Sequence, residues 1–130
     1  MNSFHVKGQV ISGKGEGAKF LKLIWVRKQI KEKLGFTPHL GTLNIRLSKE
    51  YSGTKDLLKQ AKGIVIMPTN GFYRGKCFRA YVMDGAECAI VIPEVEDYPE
   101  DLMEIVAPVN LREKLELKDG DTIEVKILLG

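Results

Sequence analysis

The chain has 130 residues, inside the usual range of about 100–150 for one domain and too short to build two separate cores. Apolar residues make up 44% and charged residues 28%, which excludes a long disordered chain, and no apolar run approaches the roughly 20 residues of a membrane span. The formal charge of +3 is small but uneven: residues 1–49 hold ten Lys/Arg against two Glu, whereas Glu94 to Glu104 carries six acids and no base, so only the first part attracts phosphate.

The first residues, Met1 to His5, contain no signal-peptide core, so a single cytoplasmic domain over residues 1–130, with no membrane attachment, is expected. Cys77 and Cys88 are too few for a disulfide scaffold and lack the partners of a zinc site, which makes them plain buried thiols.

In chain order, Phe4 to Ser12 alternates loosely and carries β-branched Val6, Val10 and Ile11, which predicts a strand ending in Gly13-Lys14-Gly15-Glu16-Gly17. Ala18 to Leu23 fits either period and is assigned to a strand. From Ile24 to Leu34, Val26, Ile30 and Leu34 recur at helical spacing, and Gly35 and Pro38 supply the stop. The basic residues Arg27, Lys28, Lys31 and Lys33 read as its solvated face, with Trp25 as packing. Thr42 to Leu47 alternates, with Leu43, Ile45 and Leu47 on a core face and Thr42, Asn44 and Arg46 on an open one. Thr54 to Lys62 reads as a short polar helix burying Leu57, Leu58 and Ala61.

Ile64 to Met67 is a short strand, followed by turn chemistry at Pro68-Thr69-Asn70-Gly71. A hairpin then turns at Asp84-Gly85. With a two-residue turn, Met83 faces Ala86, Val82 faces Glu87, Tyr81 faces Cys88 and Phe78 faces Val91, so Phe78, Ala80, Val82, Ala89 and Val91 share a face. That register sets Cys77 opposite Ile92, four residues or about 13 Å along the strand from Cys88, too far for a disulfide. Leu102 to Ala107 is a further strand candidate, although Pro99-Glu100-Asp101 could equally start a helical turn; Asn110 with Glu113 forms a capping-box pattern opening a short helix through Leu115, and Thr122 to Leu129 alternates as a last strand after the Asp119-Gly120 turn. Many short strands with small helices predict a mainly β fold, a closed or nearly closed barrel.

Four segments carry chemistry. Glycines 13, 15 and 17 with Lys14 and Lys19 either cradle a phosphate or form a plain turn; the spacing is neither that of a Walker A loop nor that of a dinucleotide fingerprint. Thr42 and Asn44 point two hard neutral oxygens at one spot, a donor pair that suits Mg²⁺ or ordinary strand-face polarity. The capped turn at Asn110, with Arg112 inside it, offers N–H groups to an anion or to water. Glu104 interrupts an apolar run; at the core edge desolvation would suit it to accept a proton, and on the wet face it would do nothing. His5 and His39 stand apart from any metal-ligand spacing and read as incidental, and no RNA- or DNA-reading motif accompanies the basic helix.

In their order, these segments resemble the archaeal CTP-dependent riboflavin kinase family. The likeness rests on Gly8-x-Val10-x-Ser12-Gly13-x-Gly15-Glu16-Gly17, on Leu34-Gly35-Phe36-x-Pro38 leading into Gly41-Thr42-Leu43-Asn44, on Ile92-Pro93, on Glu104-Ile105-Val106-Ala107-Pro108 with Leu111-Arg112, and on Leu117-x-Asp119-Gly120-Asp121. It implies a small closed cradle-loop (RIFT-related) β-barrel of about six strands with short peripheral helices, without the N-terminal helix-turn-helix domain that some members carry. It further implies phosphoryl transfer from CTP to riboflavin, giving FMN and CDP, by a monomer that needs one Mg²⁺ ion and binds no nucleic acid. Gly13, Lys14, Gly15, Glu16, Gly17 and Ala18 would hold the nucleotide together with Val109, Asn110, Leu111 and Arg112, while Thr42 and Asn44 would ligate the metal. Glu104 would contact the flavin and orient or deprotonate its hydroxyl. By position Glu96 would be a second flavin contact, but here Glu96-Asp97 replaces the family's Thr-His pair, and a carboxylate there would repel a nearby product phosphate. The rival readings are a small β-barrel DNA-binding regulator and a flavin-binding module without catalysis.

Overall fold

The computed structural model describes residues 2–12, 19, 21–68, 74–82, 85–96 and 98–129. Its strands are β1 (Ser3–Ile11), β2 (Leu43–Leu47), β3 (Ile64–Ile66), β4 (Gly75–Val82), β5 (Ala86–Pro93), β6 (Leu102–Val106) and β7 (Thr122–Leu128). The helices are α1 (Ile24–Leu34), α2 (Thr54–Gln60) and α3 (Leu111–Lys114), with a 3₁₀ turn at Lys49–Tyr51. All pairings are antiparallel in the order β3-β4-β5-β6-β2-β1-β7, and β7 returns to pair with β4 through Ala80 to Val82. Six strands therefore close a ring, as expected, and β3 is a seventh that shares with β7 the edge of β4 not taken by β5. Closure removes the unpaired edges that an open sheet would expose.

Alternation fills the barrel. Val6, Val10, Ile45, Phe78, Ile90, Met103, Ile105, Val125 and Ile127 point inward and are buried. The outer face of β4, β5 and β6 is covered as well, because Val26, Ile30 and Leu34 of α1 pack with Leu21 on Cys77, Ala89, Val91 and Val106. Burial on both faces explains why residues 88–92 read as an unbroken apolar run. Helix α1 is anchored at both its end and its flank. Gly35 adopts the left-handed region at φ 86°, and the Arg79 guanidinium donates to the carbonyls of Leu34 and Lys33 at 2.9 Å each. Gln29 exchanges two hydrogen bonds with the Met67 backbone, at 2.9 and 2.8 Å, and Lys33 donates to the Val65 carbonyl at 2.7 Å, so side chains occupy the outer edge of β3.

Three expectations need correction. The β4–β5 register is one residue away from that of a two-residue turn: Val82 pairs with Ala86, Tyr81 with Glu87, Ala80 with Cys88, Phe78 with Ile90 and Cys77 with Val91. Three residues thus separate the paired ends, and the left-handed conformation needed by the longer loop falls on Gly85 at φ 100°. Because side chains alternate, the slip moves Ala89 and Val91 out of the barrel and puts Cys88, Ile90 and Ile92 inside with Phe78, Ala80 and Val82. Cys77 and Cys88 thus lie in different cores, both free and buried, as anticipated on another register.

Lys19 and Leu21 are helical rather than extended, and Leu21 drops into the outer core beside α1. Finally, α2 is rotated from its apolar reading: Leu57 is 46% exposed, while Thr54, Lys55 and Leu58 face inward. No described helix is long and apolar enough to cross a membrane. Gly13 to Ala18, Thr69 to Gly71, Asp84 and Asp97 lie outside the described residues, and with them the glycine loop and parts of two expected turns.

Candidate functional site

Strands β2 and β6 pair with Asn44 directly opposite Glu104, both pointing out of the barrel because Ile45 and Ile105 point in. The face expected to be open is closed at this position: Asn44 is 5% exposed and Glu104 is fully buried. The Thr42 hydroxyl, one residue before β2, lies 2.7 Å from Asn44 Oδ1 and 3.1 Å from Glu104 Oε2. On the other side, the Tyr98 hydroxyl donates to Glu104 Oε1 at 2.5 Å. Each oxygen of the buried Glu104 carboxyl group thus has a hydroxyl beside it in place of the water it has lost.

The Thr42 hydroxyl is within hydrogen-bonding distance of oxygens from both Asn44 and Glu104, so its single proton lies between two hard acceptors. Among the described residues no cluster of three or more His, Cys, Asp and Glu side chains could hold a metal by itself. The donor set therefore suits Mg²⁺ completed by water and phosphate rather than a zinc or calcium cage.

Thr42 and Asn44 line a cavity of about 400 Å³, whose other walls come from the end of β1 at Ile11 and Ser12, from residues 39–41, and from Val109, Asn110, Leu111 and Arg112. The Asn110 side chain caps α3 by accepting from the Glu113 N–H at 3.2 Å, the N-cap expected from the sequence. Asp119 ties the cavity together: it accepts from Ser12 Oγ at 2.8 Å on both oxygens and from the Arg112 guanidinium. Its carboxyl is held below the usual range by Arg112 first and Ser12 second. The backbone repeats this link, with Gly120 N–H donating to the Val10 carbonyl and Val10 N–H to the Asp121 carbonyl, both at 2.8 Å. The segment that leads into Gly13 is thereby pinned beside Arg112.

A second cavity of about 400 Å³ opens on the Tyr98 side of Glu104, between Ile92, Pro93, Val95, Lys55 and Tyr98, with the exposed Glu96 also on its wall. Lys55 is only 2% exposed. Its ammonium donates to the Pro99 carbonyl at 2.8 Å and stands 3.8 Å from the Tyr98 ring centroid. Burial draws its pKa down from 10.5 to about 8, while Glu100, Glu104 and Asp101 pull the other way.

The structure thus gathers Thr42, Asn44 and Glu104 at one point, puts Val109 to Arg112 on the first cavity with them, and leaves Glu96 on the second. Sequence reading did not single out Lys55, Tyr98 or Asp119. A polar helix conceals the phase that buries Lys55, and neither Tyr98 nor Asp119 stands in a local pattern that marks it as part of a site.

Comparison with known proteins places the chain. The family model CTP-dep_RFKase, described as a domain of unknown function, DUF120, matches residues 10–127. The chain belongs to this family. The matched span contains every residue of both cavities described above. Its relatives include a protein named riboflavin kinase in Pyrobaculum aerophilum, 50% identical over 131 residues, which cover 98% of this chain and 62% of the relative. Others of that name are found in Archaeoglobus fulgidus, 44% identical over 95% of this chain and 54% of the relative, and in Methanosarcina barkeri, 40% identical over 98% and 58%. The chain therefore spans between half and two thirds of the length of these relatives.

Proposed function

We propose that this chain is a CTP-dependent riboflavin kinase that transfers the γ-phosphoryl group of CTP to the 5′-hydroxyl of riboflavin, giving FMN and CDP. The observation that carries the reading is the place of Glu104. One oxygen is held by Thr42, which lines the first cavity, and the other by Tyr98, which lines the second. Glu104 itself lines neither cavity, but its two partners do, so it links a donor side and an acceptor side of similar size. The family name supplies the nucleotide, and the names of the relatives supply the acceptor.

In this reading the nucleotide occupies the first cavity, its phosphates beside Arg112 and the Gly13 to Ala18 loop, and Val109, Asn110 and Leu111 complete the wall. Thr42 and Asn44 would hold one Mg²⁺, which when bound supplies charge neutralisation for the phosphates. The flavin occupies the second cavity with its ribityl chain directed at Glu104, which orients the 5′-hydroxyl and accepts its proton as the O–P bond forms and the bond to the CDP leaving group breaks. Tyr98 and Thr42 keep the carboxylate in position, and Asp119 keeps Arg112 aimed into the nucleotide cavity. Positioning and charge balance, rather than covalent catalysis, do the work. Glu96 lies on the flavin side, away from the donor phosphates.

The direct test is incubation with riboflavin, Mg²⁺ and each nucleoside triphosphate in turn, followed by separation of FMN. FMN formed with CTP, and much less with ATP, is expected. No FMN with CTP, or equal rates with ATP, overturns the reading, and flavin binding without turnover in both parent and Thr42→Ala would identify a carrier instead.

A further inference from the structure

The proposed chemistry leaves Lys55 without a task, and its position is costly. It is a nearly fully buried cation in the first turn of α2, where the helix dipole disfavours positive charge. An apolar side chain of the same length would pack there at lower cost. The other cations of the second cavity are committed elsewhere: Lys76 donates to the carbonyls of Lys59 and Ala61 at 2.6 and 2.8 Å, and Lys59 pairs with Glu100 at 3.4 Å. Lys55 has three N–H donors, and among the described residues one acceptor, the Pro99 carbonyl, takes a hydrogen bond from it. Lys55 lines a cavity whose Ile92, Pro93 and Val95 walls and Tyr98 ring suit a flat heteroaromatic body.

We propose that Lys55 is a contact residue for the acceptor substrate: its ammonium donates to the ring-nitrogen and carbonyl edge of the flavin heterocycle and selects for a ring carrying that edge. The inference rests on the reading that the second cavity takes the flavin. Pro99 and Tyr98 fix the ammonium in place, so its alignment does not have to be acquired on binding.

The test titrates the full chain with riboflavin, with lumichrome, which is the flavin ring without its ribityl chain, and with CDP in the presence of Mg²⁺. Parent, Lys55→Met and Lys55→Arg are compared, and thermal melts confirm folding. Lys55→Met is expected to weaken riboflavin and lumichrome alike, by about tenfold or more for loss of a charged hydrogen bond, while CDP affinity stays at the parent value and Lys55→Arg recovers part of the loss. Should Lys55→Met fail to fold, Lys55→Gln, which keeps a donor but not the charge, is expected to fall between parent and the loss given for Met. Parent-like flavin affinity in a folded Lys55→Met or Lys55→Gln overturns the assignment, as does a loss confined to riboflavin or shared equally by CDP. A parent chain that binds neither flavin ligand overturns the proposed function itself, a result separate from a failure of Lys55 alone.

Discussion

Replacing Asn44 by Asp changes one atom type and preserves side-chain shape, so it isolates the charge balance of the candidate metal site. Asn44 lies directly opposite Glu104 on the same side of the sheet, and directly paired Cβ atoms are about 5 Å apart. Two carboxylates at about 5 Å repel by about 3 kcal/mol at an effective dielectric constant of about 20, and escape by protonation caps the cost near 4 kcal/mol at pH 7. Asn44→Asp is therefore expected to lower stability in chelator at pH 7 by about 2–3 kcal/mol, read from urea midpoints at constant slope. The acceptor for the Thr42 hydroxyl is retained. The repulsion raises the pKa of the introduced carboxyl above its unfolded value, so the penalty is present at neutral pH and is relieved as pH falls toward about 5. Millimolar Mg²⁺ is expected to restore stability beyond its effect on the parent, because a divalent cation turns the second carboxylate into a favourable ligand. Parent-like stability in chelator would refute the shared-charge argument. A loss that neither acid nor Mg²⁺ repairs would show that the Asn44 amide matters for its hydrogen bonds, and the metal reading would fall.

Gly8→Ala is expected to cost more than about 2 kcal/mol in urea unfolding, since a Cβ at Gly8 would sit 2.6 Å from the Arg46 carbonyl oxygen, a backbone atom that cannot rotate away. Parent-like stability would mean that β1 and β2 can separate at no cost. Lys55 gives a pH signature: from its lowered pKa of about 8 up to 10.5, the unfolded chain keeps a proton that the native state has released, so stability rises with pH across that window. With allowance for solvent at the cavity rim, the parent is expected to gain about 2 kcal/mol relative to Lys55→Met between pH 7.5 and 10.5; a constant difference would contradict the burial argument. Burial pushes both Cys77 and Cys88 up to about 12, so neither is expected to react with a thiol reagent at pH 8 until the chain unfolds; rapid labelling of the native protein would place one of them at the surface.

Local signals determined much of this protein. Val26, Ile30 and Leu34 repeat at helical spacing because one face of α1 is buried, and α1 spans the segment read from that repeat. Alternation in 43–47 and 122–128 marks strands whose inner face is core and whose outer face is mostly wet, and Asn110 with Glu113 marks a real cap. The order of the short motifs was enough to reach the family, because each motif has its own composition. Tertiary structure alone decided the rest. The β4–β5 register could not be read from 88–92, where both faces are buried and no alternation survives to set the phase. The burial of Lys55 followed from how α2 docks on the second cavity, a choice that overrode the apolar side chain of Leu57. Above all, that Glu104 touches Thr42 with one oxygen and Tyr98 with the other is a property of three separate segments meeting. Sequence spacing constrains neighbours along one strand, whereas a site that spans two cavities is made across strands.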